Sequence, residues 1–170
     1  MEKPFSLLAV IRALEISSPK DSIKLVCFYE FLTIFDKFIN FKFLITGFTV
    51  FAGCLFSEGA DAKKLKESNP NIRILQLDVT NREQVENAVK EIEKSQLPLW
   101  SIVNNAGIGV GFYFDWGNDV DEHRKVMEVN TFGLMRVTKN CMGLLRKSSG
   151  RIVNVTSTAG KLLLIFFCQK

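Results

Sequence analysis

Three apolar runs in this sequence each stop at small polar residues. The run IRILQLDV, residues 72–79, carries Asp78 near its end. A second run, residues 100–103, is closed by Asn104-Asn105-Ala106-Gly107. A third, residues 151–155, is closed by Thr156-Ser157-Thr158-Ala159-Gly160. Carboxylate, amide and hydroxyl groups at strand ends can hydrogen-bond a polar ligand. One such ending carries little information, because strands often stop at Asx or glycine. Three in succession along one edge of a parallel sheet outline a crevice, and open parallel sheets bind ligands beyond the carboxyl ends of their strands.

Periodicity and turn residues predict the elements that position these clusters. Residues 41–45 and 49–55 have strand composition. Residues 58–68 read as a short helix, Asn69-Pro70-Asn71 as a turn, and residues 72–79 as a strand. Thr80-Asn81-Arg82-Glu83 has the form of a capping box, a Thr cap with an acid three residues on. The helix that follows places Val85, Ala88, Val89 and Ile92 on one face, and Pro98 ends that unit. A long helical stretch over residues 120–147 shows Met127, Thr131, Leu134, Thr138, Cys141 and Leu145 as its inner face. Gly150 closes it, and residues 151–155 form a buried strand. This alternation predicts an α/β fold with a parallel sheet and flanking helices.

Composition narrows the function classes. Apolar residues make up 47% and charged residues 24% of the 170, which fits one globular domain. The net charge of +4 is scattered. Its densest run, Lys63-Lys64-Leu65-Lys66, lacks an aromatic platform and reads as a solvated helix face, so no nucleic-acid partner is expected. Cys27, Cys54, Cys141 and Cys168 form no CxxC pair, which predicts reduced thiols and no metal site. His123 lies in Asp-Glu-His-Arg-Lys, a solvated helix position. Asn154-Val155-Thr156 matches a glycosylation sequon by chance, inside a buried strand. Residues 1–40 read as an N-terminal extension. Two apolar stretches there, 5–16 and 23–39, leave open a membrane anchor or a segment packed on the domain. Acids inside the second weigh against a spanning helix.

Leu77-Asp78-Val79-Thr80, Asn104-Asn105-Ala106-Gly107, Val129-Asn130-Thr131-Phe132-Gly133 and the run GRIVNVTS, residues 150–157, together resemble the short-chain dehydrogenase/reductase family. The likeness is to its retinol and hydroxysteroid dehydrogenase branch, over residues 41–160, with 161–170 a divergent apolar tail. It implies a Rossmann-like sheet and an NAD- or NADP-dependent oxidoreductase that interconverts alcohol and carbonyl on a retinoid, steroid or similar lipophilic substrate. It also implies an endoplasmic reticulum membrane or cytoplasmic location, and leaves membrane association and a homo- or hetero-dimer open. By resemblance, Asp78 would bond the adenine amino group. Asn104, Ala106 and Gly107 would line the adenine-ribose side, where small residues admit the cofactor to the backbone. Gly47 would belong to the phosphate turn. Asn130 would hold a water of the proton relay, and Ser157 would bond the substrate oxygen where negative charge develops.

Two departures follow from the same comparison. The family's proton donor is a Tyr with a Lys four residues on. Tyr29 and Tyr113 are the tyrosines of this chain, and Thr33 and Gly117 stand at the Lys positions. The family's glycine-rich loop, which seats a pyrophosphate on a helix start, aligns with Thr46-Gly47 but meets Phe51 at the middle glycine. Residues 41–47 resemble the family's first strand and turn, and residues 48–55 its second strand. The loop and first helix between them are missing. Adjacent parallel strands need a crossover of about a dozen residues or more, so residues 41–55 are expected to form one long strand kinked at Gly47, or a displaced second half. The fold is therefore expected to be an incomplete Rossmann-like sheet, with a catalytically inactive fragment as the alternative function.

Overall fold

A computed structural model describes residues 6–10, 48–109 and 120–156. Five strands run parallel in one sheet: β1 (Ser6–Val10), β2 (Thr49–Cys54), β3 (Ile72–Gln76), β4 (Leu99–Asn104) and β5 (Arg151–Asn154), in the order β3-β2-β1-β4-β5. Helix α1 (Ala60–Ser68) joins β2 to β3, and α2 (Arg82–Lys94) joins β3 to β4. Between β4 and β5 run α3 (Asp121–Met127), a π-helical segment (Glu128–Gly133) and α4 (Leu134–Ser148). This is doubly wound order. The chain steps outward from β1 to β3, then returns to start again at β4, so the crevice opens where β1 and β4 part company.

The central strand corrects the expected layout. Leu8 pairs with Phe51 on one side and with Ile102 on the other. The sheet thus takes a strand from residues that the sequence assigned to an N-terminal extension, and the boundary at residue 41 does not divide it. The reason is the crossover rule itself. Residues 46–48 are too short to bring residues 41–45 parallel beside β2, whereas residues 11–48 are ample. Neither Gly47 nor residues 41–46 lie among the described residues, so the expected kink falls outside them. So do residues 23–39. Among the described residues no helix is long and apolar enough to cross a membrane.

Each face of the sheet has its own core. On one, Phe51, Leu99 and Ile102 pack with Val85, Ala88 and Ile92 of α2 and Val137, Cys141 and Leu145 of α4. On the other, Val50, Ala52, Cys54, Ile72 and Val103 pack with Ala62 and Leu65 of α1. Alternation along β2 sends Phe51 to the first core and its neighbours to the second. The face predicted for α2 is the one buried. The α4 face is only half right: Cys141 and Leu145 are buried, but Met127 is 49% exposed and Gly133 and Val137 take the inner positions. A π turn inserts a residue and rotates the stripe, so a 3.6-residue spacing carried through it loses phase.

Three local readings also change. Asn81, not Thr80, caps α2, its Oδ1 accepting from Gln84 N at 3.1 Å. Ser149 takes the left-handed turn after α4 (φ 52). Gly150 instead fills a slot where a Cβ would meet the Leu99 carbonyl at 2.7 Å. β5 is exposed along its length, Ile152 at 42% and Val153 at 43%, where a buried strand was expected. Among the described residues it pairs only with β4.

Leu8→Pro removes a ladder hydrogen bond from a strand paired on both sides. It is expected to cost about 1–3 kcal/mol and to lower the urea midpoint. An unchanged midpoint contradicts the central placement of β1. Burial also pushes the Cys141 thiol up to about 12, so at pH 8 it should resist a thiol reagent in the folded protein and react once urea unfolds it.

Candidate functional site

The wall at the carboxyl end of β3 is built by two glutamines and an Asx turn. Asp78 Oδ1 accepts from Thr80 N at 2.8 Å and from Thr80 Oγ1 at 2.7 Å. The main-chain N–H of Asp78 donates to Gln84 Oε1 at 2.7 Å. Gln84 sits in the first turn of α2, so the helix start fixes the Asp78 backbone. Gln76 ties the loop after β2 to the same wall: its Nε2 donates to Leu55 O at 2.7 Å, and Ser57 N donates to its Oε1 at 3.1 Å. Asp78 Oδ2 has no hydrogen bond among the described residues, which leaves one carboxylate oxygen for a ligand.

The opposite wall follows β4. Asn104 is 5% exposed, and its Nδ2 donates to Thr138 Oγ1 at 3.1 Å and to Asn154 Oδ1 at 2.9 Å. Its main-chain carbonyl accepts from Val155 N at 2.9 Å. The Asn104 side chain therefore joins β4, β5 and α4 through its Nδ2. Its Oδ1 is buried with no hydrogen-bond partner among the described residues. Ala106 packs on the first core. Gly107 faces Asn130, where an added Cβ would meet Oδ1 at 3.5 Å, an ordinary contact. Among the described residues no neighbour requires glycine there.

Asn130 stands in the π segment and grips the loop beyond Gly107 with both ends of its amide. Ile108 N donates to Asn130 Oδ1 at 2.8 Å, and Asn130 Nδ2 donates to Ile108 O at 2.9 Å. The side chain acts as a strand-like partner for one residue of loop. These two bonds fix the loop after β4.

The structure thus brings Gly107 into contact with Asn130, while Asn104 bonds Thr138 and Asn154 and Ala106 packs on the core. Asp78 lies three strand spacings away across β2 and β1, roughly 14 Å, with the carboxyl ends of β1 and β2 between. Gly47 and Ser157 lie outside the described residues. Sequence reasoning missed Gln76, Gln84, Thr138 and Arg136. Their types are ordinary for helix and strand surfaces, and only the bonds they make single them out.

With this geometry in hand, comparison with known proteins decides the family. The model for the short chain dehydrogenase family matches residues 37–168. The chain belongs to the short chain dehydrogenase family. It is 45% identical over 120 residues to mouse estradiol 17-beta-dehydrogenase 2, covering 67% of this chain and 31% of that protein. It is 38% identical over 123 residues to mouse mitochondrial D-beta-hydroxybutyrate dehydrogenase, covering 68% of this chain and 36% of the relative. The closed form of serine dehydrogenase complexed with NADP+ superposes with a TM-score of 0.65 at 27% identity, covering 75% of this chain and 52% of that one. The chain spans about a third of the length of the curated relatives it matches. The family match starts at residue 37, so it includes residues 41–47 and leaves out β1.

Asn130→Ala removes both bonds to Ile108. It should cost about 1–3 kcal/mol for the pair and speed amide exchange at Ile108 while β4 amides keep their protection. Unchanged exchange at Ile108 contradicts the grip.

Proposed function

We propose that this chain belongs to an oxidoreductase that binds the adenosine end of NAD or NADP at the carboxyl edge of its sheet. The reaction is alcohol/carbonyl interconversion on a lipophilic substrate, steroid-like by analogy with the estradiol dehydrogenase relative. The observation that carries the reading is the doubly wound order. It sets Asp78, whose Oδ2 has no hydrogen bond among the described residues, and Gly107, where an added Cβ would make an ordinary contact with Asn130, beyond the carboxyl ends of β3 and β4 on either side of β2 and β1. Asp78 Oδ2 would accept from the adenine amino group, and the backbone around Gly107 would meet the ribose. When bound, the nicotinamide supplies hydride transfer. Ser157 would hydrogen-bond the substrate oxygen, and Asn130 would hold the loop against which the cofactor lies.

The pyrophosphate end fits less well. Residues 11–46, which follow β1, contain no glycine, so no glycine-lined backbone meets a pyrophosphate directly after that strand. That observation carries a second reading: a fold that holds the nucleotide weakly.

Calorimetric titration with NAD+, NADP+ and AMP separates the readings. The proposal expects binding of all three, with the dinucleotides gaining little over AMP. Gly107→Ala should fold with an unchanged urea midpoint yet lose about tenfold in affinity. No binding of any of the three, or full affinity in Gly107→Ala, contradicts the adenosine site. A large gain of NAD+ over AMP would overturn the second reading.

A further inference from the structure

The two walls of the crevice are joined by one side chain. Arg136, in the first turn of α4, spreads its guanidinium fork between two acceptors. Nη1 donates to Val79 O at 2.6 Å, and Nη2 donates to Glu128 Oε1 at 2.7 Å. Val79 is the residue after Asp78. Glu128 is the first residue of the π segment that presents Asn130. The Arg136 side chain is 25% exposed and that of Glu128 43%, so the pair is screened less than a fully exposed one.

Packing makes this contact close. Gly133 ends the π segment directly over Val79. A Cβ at Gly133 would lie 2.5 Å from Val79 Cγ2 and 3.0 Å from Val79 Cβ. The missing side chain lets the helix descend until the Arg136 fork meets the Val79 carbonyl. A π segment has an alternative, the ordinary α-helical register one residue shorter. Arg136 bonds back across the segment to its first residue and outward to β3's end, so it holds both boundaries of the inserted turn.

We propose that Arg136 is a positioning residue for the nucleotide site. It fixes the π register that aims Asn130 at Ile108 and ties that register to the Asp78 loop, so the two walls keep one spacing. The functional consequence rests on the adenosine-site reading above; the coupling between the walls does not.

The test is amide exchange on the protein without nucleotide, comparing the wild type with Arg136→Lys. Lysine keeps the charge and the stem but cannot offer a fork to two acceptors. Thr80 N–H reports the Asp78 loop and Ile108 N–H reports the Asn130 grip, with Ile102 and Val103 N–H of β4 as references. The expected result is at least tenfold faster exchange at both Thr80 and Ile108 over the references. Acceleration at one wall alone, or at neither, overturns the proposal. If all four amides accelerate together, Glu128→Gln decides, because it leaves the Val79 bond and removes the ion pair. Faster exchange at Ile108 alone then sustains the coupling through the π segment, and Ile108 tracking the references overturns it. Titration of Arg136→Lys with AMP tests the link to function: affinity falls about tenfold if the adenosine site is as proposed. If the wild type binds no AMP while the exchange result holds, the coupling stands and the site reading falls.

Discussion

A parallel strand cannot lie beside its sequence neighbour without a crossover. This constraint decides how the sheet is assembled. β2 and β4 each need a parallel partner on their inner edge, and the segment immediately before β2 is too close in sequence to supply one. Ser6–Val10 fills that place, with residues 11–48 as the connection. The doubly wound order, the position of the crevice and the burial of both sheet faces all follow from that one insertion.

Burial and hydrogen bonding do separate work here. Apolar contacts such as those of Phe51, Ile92 and Val137 fix the strands and helices against one another, but burial is non-directional and does not set the path of a loop. The loops at the carboxyl edge are set by side chains bonded to backbone: Gln76 to Leu55, Gln84 to Asp78, Asn130 to Ile108 and Arg136 to Val79. Each such bond contributes about 1 kcal/mol net, small beside the core and sufficient to choose one loop geometry among several. The Asn104 side chain does the same between strands and α4.

The sequence made the strand ends legible because their chemistry is local. Asp78 and the Asn104–Gly107 run stand where the apolar runs predicted, and so does the buried face of α2. β1 was not legible. The four apolar residues that follow Ser6, in a stretch of similar composition, carry no period that marks a central strand, and Thr46-Gly47 drew the first-strand assignment to residues 41–47. The π segment was hidden for a different reason: its inserted residue leaves no compositional mark and moves Gly133 and Val137 into the face that Met127 and Leu134 were expected to share. Arg136 and Gln84 were invisible because each reaches a main-chain atom of the Asp78 loop, and main-chain atoms are the same in every sequence.

The most direct measurement is of proton contacts across the sheet by nuclear Overhauser spectroscopy on labelled protein. The account predicts backbone contacts from Leu8 to both Phe51 and Ile102, the register in which β1 lies between β2 and β4. Contacts to β2 and β4 from residues 41–45 instead, with none from Leu8, would contradict it.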